Sequence, residues 1–371
     1  MMQDLPLYFQ PIPERLALLD PAWLLLHSSS GFPDLKGVQV AILGLKESRG
    51  AASDFCGQAP DAIRQFLYEL CPLPSFAGKI ADLGNISAGA TYQDSFVALS
   101  DVVRMLLEKN IFPIILGGGH DLVLAQLAAY QKLEKHYHWL NIDAKIDVFG
   151  RKPVRSDNFL HQFFQNNKFL SKYTHLAHQS YLNQVDFLDA LRAQGSEILR
   201  LGWIREDIKE VEPYIRSADA LSFDIHAIRA ADAPARAHFL PSGLFAEEAC
   251  KIAHYAGMSE TLSSAGFYNL DPILDQQGQS AVLFAQMVWH LLTGFFSRKG
   301  DFPLSDLSTY TTYHVHLSVP NRDLTFYKSP YTGRWWMTLD GNAPIACSYK
   351  DYQEALRDEI PWRFLSLFAK N

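Results

Sequence analysis

The sequence predicts an α/β fold of three layers, a mainly parallel sheet between two layers of helices, with a small β-rich extension at the C-terminus. Three observations predict it. Short apolar runs alternate with longer helical patterns from about residue 37 to residue 298. The runs end repeatedly in unusual polar residues. From Tyr310 onward the pattern changes to alternation of polar and apolar residues around a turn.

Val38–Leu43, Phe112–Leu116, Tyr137–Ile142, Ile198–Leu201, Ala220–Phe223 and Ala265–Leu270 are short, continuous and rich in branched and aromatic residues, the signature of buried strands. Between them Ala59–Leu70, Tyr92–Lys109, Leu122–Lys135, Phe245–Ala256 and Ser280–Phe296 carry helical periodicity. Strand and helix in repetition call for a parallel sheet covered on both faces. In the last part, Tyr310–Val319, LTFYKSP and RWWMTL predict antiparallel strands around a turn at Thr332–Gly333, and a final helix from Tyr349 towards Arg357. Trp335 and Trp336 are expected to pack rather than to stack on a ligand. The expected division is an N-terminal segment 1–36, an α/β domain 37–300 and an extension 301–371 packed on it.

A chain of 371 residues with 48% hydrophobic and 20% charged residues can fill a large core. The net charge of −7 arises from acids and bases mixed along the chain, and no basic stripe invites nucleic acid. No apolar run reaches the ~18 residues of a membrane span, and no signal peptide is visible. Cys56, Cys71, Cys250 and Cys347 lack metal-ligand spacing and are expected to be reduced, which suits a cytoplasmic protein.

The polar residues gather at the C-terminal ends of predicted strands: GGGHD (Gly117–Asp121), NIDAKID (Asn141–Asp147), SFDIH (Ser222–His226) and NLD (Asn269–Asp271). Open parallel sheets bind ligands at that edge, where the loops converge. A buried carboxylate needs a partner or a metal. Any one of these residues alone could be a helix cap or a packing residue. His120, Asp143, Asp147 and Asp224 together offer oxygen-rich ligands with one imidazole, which suit a divalent cation such as Mn²⁺.

These segments, in this order, resemble the arginase, agmatinase and formimidoylglutamase superfamily, with APDAIRQ, DLGN, FPIILGGGHD, PSGL and NLDP among the shared features. The stretches SFDIHAIRAADAP, FYKSP and RWWM are similar to a divergent bacterial branch labelled formimidoylglutamase. The resemblance implies the arginase-like αβα fold, and a homo-oligomer. Its motifs, GG-x-H, D-x-H-x-D, S-x-D-x-D-x-x-D-P and E-x-N-P, hold two Mn²⁺ ions in active members, and the ions activate a water against an amidine or guanidinium carbon. His120, Asp143, Asp147 and Asp224 match one ion's ligands, with Asp143 and Asp224 the two that bridge.

The other ion's set is altered. Lys145 stands for the middle His of D-x-H-x-D, His226 for the second Asp of S-x-D-x-D, Arg229 for its third Asp and Asn269 for the Glu of E-x-N-P. A protonated Lys has no lone pair to offer a metal. Lys145 is therefore expected to replace the second cation, its ammonium lying between Asp143 and Asp224, while His226 offers a substitute ligand. Loss of the Glu removes the charge complement of a guanidinium, so arginine and agmatine are poor candidates. Asp147 and His161 are the catalytic candidates, His161 as a proton shuttle or else a loop histidine; Asn269 and Arg229 are the substrate-binding ones.

Three functions follow. One is hydrolysis of a C–N bond in a small amidine-type substrate with one divalent metal or an altered pair, Mn²⁺ first. The second is a catalytically inactive pseudoenzyme that serves as a scaffold or binds a protein partner. The third is a metal-free protein that binds a small ligand in the old crevice.

Overall fold

A computed structural model describes residues 2–73, 78–148, 158–301, 307–339 and 343–368. Its strands, in chain order, are β1 (Phe9–Gln10), β2 (Leu25–Leu26), β3 (Val40–Lys46), β4 (Ile80–Ser87), β5 (Phe112–Leu116), β6 (Tyr137–Ile142), β7 (Leu170–His178), β8 (Glu197–Arg200), β9 (Ala220–Asp224), β10 (Ser264–Tyr268), β11 (Thr311–Leu317), β12 (Arg322–Lys328), β13 (Trp335–Leu339) and β14 (Ile345–Cys347). Ten of them form one sheet in the order β1-β4-β3-β5-β10-β9-β6-β7-β8, with β2 paired to β4. Every pairing in it is parallel except that of β1 with β4.

Side chains alternate across this sheet, and each face is roofed by helices. Val40 and Ile42 enter one apolar cluster with helices Ala59–Leu67, Ala246–Gly257 and Gln279–Phe295. Ala41, Leu43 and Leu45 enter the other, with Tyr92–Glu108 and Val123–Lys132. The three-layer α/β expectation holds. The strands β5 and β6 have the boundaries their sequence predicts, while β3, β8, β9 and β10 are shifted at one or both ends. Four strands, β1, β2, β4 and β7, carry no continuous apolar signal. Two of these, β1 and β2, come from residues 1–36, so that segment contributes edge strands to the main sheet.

The strand β4 shows why its signal fails. It buries Asp82 and Asn85, and the fully buried Arg64 satisfies both. Arg64 Nε and Nη2 each reach an Asp82 oxygen at 2.8 Å, and Tyr68 donates to the same carboxylate.

Residues 311–347 form a second sheet, antiparallel, in the order β11-β12-β13-β14. Its inner face carries Val315, Leu317, Leu324, Phe326, Trp335 and Met337. Both tryptophans pack as expected: Trp335 stacks on Tyr313 and Tyr352, and the Arg216 guanidinium lies 4.3 Å from the centre of the Trp336 ring. The same Arg216 donates to the carbonyls of Trp335 and Cys347, each at 3.0 Å. Arg363, in the last helix (Trp362–Phe368), binds Glu210 and Asp351. These anchors on the main sheet lie near the strands' N-terminal ends, away from the loops that follow the strands.

Candidate metal centre

Four strands of the main sheet end in the candidate residues. His120 follows β5, Asp143 and Asp147 follow β6, Asp224 ends β9 and Asn269 follows β10, so all lie at the C-terminal edge. The strands β5, β10, β9 and β6 are consecutive neighbours, which brings the loops together. Backbone conformation sharpens the crevice. Gly117 and Gly118 have φ of +80° and +76°, and a side chain on Gly118 would meet Leu122 at 2.7 Å. Asn269 itself has φ of +63°, a left-handed conformation that Asn tolerates better than Glu.

His120 is fully buried, with Nδ1 3.1 Å from Asp224 Oδ2, 3.6 Å from Asp143 Oδ2 and 3.7 Å from Asp147 Oδ2. Among the described residues, neither ring nitrogen makes an aligned hydrogen bond. His120, Asp143 and Asp147 can present ligand atoms that all lie within 4.8 Å of one another. An imidazole without an aligned hydrogen bond among the described residues and faced by three carboxylates fits a divalent cation, since a neutral imidazole and ionised carboxylates each have a lone pair to give.

The electrostatics describe a site short of positive charge. Burial, then the charges of Asp224 and Asp147, pushes the Asp143 carboxyl up to about 8. Burial raises Asp147 as well. Burial opposes a charge on His120, yet the three carboxylates hold its pKa well above the ordinary histidine value. Burial also opposes a charge on Asp224, but the His226 charge and hydrogen bond and the close approach of the His120 ring outweigh it and hold the carboxyl below the usual range.

Asp224 is heavily engaged. Its Oδ1 accepts from the backbone N–H of His226 at 2.7 Å and lies 2.6 Å from His226 Nδ1. Its Oδ2 accepts from Asn269 Nδ2, and Asn269 Oδ1 accepts from the backbone N–H of His120 at 3.0 Å. Both polar ends of Asn269 are thus used to hold β5 and β9 residues together. Lys145 places its ammonium 4.0 Å from Asp147 Oδ1, and its side chain is 33% exposed. It is not the buried ammonium that the sequence predicts, because its long stem lets the charge stay partly in water. Arg229 pairs with Asp232 at 2.8 Å and lies over Phe245. The His161 side chain, like residues 149–157, lies outside the described residues.

Several residues that hold this site carry no motif. His175 Nε2 meets the Asp143 carbonyl at 2.9 Å, and Asn183 Oδ1 accepts from the Ile146 N–H at 2.7 Å while its Nδ2 donates to the Ala144 carbonyl at 3.2 Å. They grip the Asp143–Asp147 loop from the strand and loop beyond it. Arg236 is a buried cation that donates to the carbonyls of Ala233 and Ile228. Burial lowers its pKa to about 10, against the pull of Asp224 and Asp143.

The sequence matches the Arginase family profile over residues 38–294. This chain belongs to the arginase family. Among curated arginase-family relatives, it is 25% identical to a formimidoylglutamase of Photorhabdus laumondii, over 67% of this chain and 81% of the relative. It is 26% identical to one of Ralstonia nicotianae, over 68% and 82%. Two solved structures share the fold. The Trypanosoma cruzi formiminoglutamase with Mn²⁺ gives a TM-score of 0.66 at 21% identity, over 72% of this chain and 96% of that one. The formimidoylglutamase of Bacillus subtilis gives 0.65 at 20% identity, over 72% and 91%. As an arginase-family fold, the chain carries its extension beyond the matched region. Among the described residues, no helix is long and apolar enough to cross a membrane.

Proposed function

We propose that this chain hydrolyses a C–N bond of a linear amidine, with N-formimidoyl-glutamate as the first substrate to try, at a reduced divalent metal site. The observation that carries the reading is His120, buried without a hydrogen bond and surrounded by three carboxylates at 3.1 to 3.7 Å. His120, Asp143, Asp147 and Asp224 would hold one ion, Mn²⁺ first. When bound, such an ion supplies Lewis acidity to a water and to the amidine. The likeness to formimidoylglutamases supports this substrate class over arginine or agmatine, as does Asn269 in place of a Glu.

The chain's own residues divide the work. Asn269 is a positioning residue, since it joins the His120 backbone to Asp224. Asp147 is the carboxylate with a raised pKa nearest to Lys145, so it is placed to accept and return a proton. His161 is kept as the proton-shuttle candidate. Arg229 is the candidate for a substrate carboxylate, a role for which it must leave Asp232.

The test combines metal analysis with an assay for glutamate release from N-formimidoyl-glutamate. The wild type should bind one Mn²⁺ per chain and turn over, and His120→Ala should lose both the metal and the activity. Two ions per chain would overturn the reduced site. A metal-loaded protein that turns over arginine but not the formimidoyl compound would overturn the substrate class.

A second reading, a pseudoenzyme acting as a scaffold, is favoured by one feature: His226 and Asn269 already occupy hydrogen-bonding positions on both oxygens of Asp224. Absence of stoichiometric metal under Mn²⁺-replete conditions, together with no turnover, would favour it.

A further inference from the structure

A second cavity, of about 560 Å³, opens at the opposite edge of the main sheet from His120. One wall comes from the N-terminal ends of strands and their preceding loops: His138, Lys172, Glu197 and Asp219. The other comes from the extension: Trp336, Ile345, Ala346 and the last helix. Its size is that of a pocket for a small organic ligand, and it lies between two packed units, where such pockets concentrate. The matched family region ends at residue 294, so one whole wall is built from residues outside it.

The lining mixes apolar and aromatic residues with polar and charged ones, and the charged ones, Lys172, Arg192 and Arg363 against Glu197 and Asp219, are unequally committed. Glu197 accepts from Lys172 at 2.6 Å and from Thr174 at 2.8 Å, so both its oxygens are used within the protein. An ammonium has three donors, and Lys172 spends one on Glu197. The lysine side chain is 21% exposed, largely shielded from water. Arg192 stands 46% exposed and, among the described residues, pairs with the exposed Asp189. A solvent-exposed pair of that kind is worth little and yields readily to a competing anion. On the other wall Trp362 is 72% exposed and Leu365 44%, an apolar surface left facing water.

We infer that this cavity binds a small amphipathic carboxylate, its apolar or aromatic body against Trp362, Leu365 and Ile345 and its carboxylate at Lys172 and Arg192. The site is independent of the amidine-hydrolase reading: it shares no residue with the metal centre and stands or falls without it. The strand β7 joins the two, with Lys172 near one end and His175, which bonds the Asp143 carbonyl, towards the other.

The probe is indole-3-propionate, titrated calorimetrically into the full chain, with indole-3-propanamide as its neutral counterpart. The carboxylate should bind saturably with one site per chain, and the amide about tenfold or more weaker, a single charge-assisted contact's worth. Ala346→Trp fills the cavity from one wall and Ser196→Trp from the other, and each should abolish binding. Arg192→Glu, at an exposed position where folding is not at stake, should weaken the carboxylate and leave the amide unchanged. Three results would each overturn the assignment: no saturable heat with the wild type, equal binding of acid and amide, or undiminished binding in whichever tryptophan variant folds.

Discussion

At the scale of single residues, charge in this protein is decided by how far water reaches. Lys145 is the instructive case. Its side chain is a third exposed and its ion pair with Asp147 is stretched to 4.0 Å. Lys145→Ala should therefore cost less than about 1 kcal/mol, the range of partly solvated pairs, in a chemical denaturation series. A loss of several kcal/mol would restore the buried-cation reading. His178 is the opposite case. It is buried on β7, both ring nitrogens lack a hydrogen-bond partner among the described residues, and burial with the nearby charges of Arg192 and Arg200 lowers its pKa to about 4. Its folded pKa lies below the unfolded value of about 6.5, so the unfolded chain binds more protons between those two values. The stabilisation from a neutral His178 is present above about pH 6.5 and is lost as pH falls towards 4, by roughly 3 kcal/mol in all. His178→Leu should flatten that part of the stability profile relative to wild type. Parallel profiles for the two proteins would show that His178 bears no such load.

At the scale of elements, legibility followed the source of the signal. The runs Phe112–Leu116 and Tyr137–Ile142 predict strands that the structure has over the same residues, because continuous burial on both faces demands continuous apolar sequence. The strand β4 hides its nature behind Asp82 and Asn85, whose partner Arg64 arrives from a helix; β7 does so behind Thr174, His175 and His178. Such polar residues read as loop until the partner is known. The candidate site divides in the same way. His120, Asp143, Asp147 and Asp224 stand in recognisable motifs, but His175, Asn183 and Arg236, which hold or charge-balance them, follow no spacing rule. The Arg64–Asp82 pair also gives a stability test. Arg64→Met removes one partner of a fully buried ion pair and leaves the Asp82 side chain without it, which should cost about 3–5 kcal/mol by denaturant titration, far above a surface arginine. A cost under about 1 kcal/mol would mean that Asp82 finds another partner.

At the scale of the whole molecule, the two sheets meet through a few large side chains. Trp336 is 1% exposed and lies over Arg216, whose donors hold carbonyls of two strands of the small sheet. Trp336→Ala should cost about 3–5 kcal/mol, as large aromatic truncations in cores do, and a calorimetric scan should show a single lowered transition. A second, separate transition would mean that the extension unfolds by itself.

The opposed placement of the two ends of the sheet has a consequence for descent. The candidate metal residues stand at one rim of the sheet, and the appended strands are fastened at the other. A lineage could lengthen, trim or reshape the appendage without disturbing a single candidate ligand, and could alter those residues without loosening the appendage. The residues of the candidate metal centre and the added sheet are therefore separable inheritances, free to have been acquired in either order.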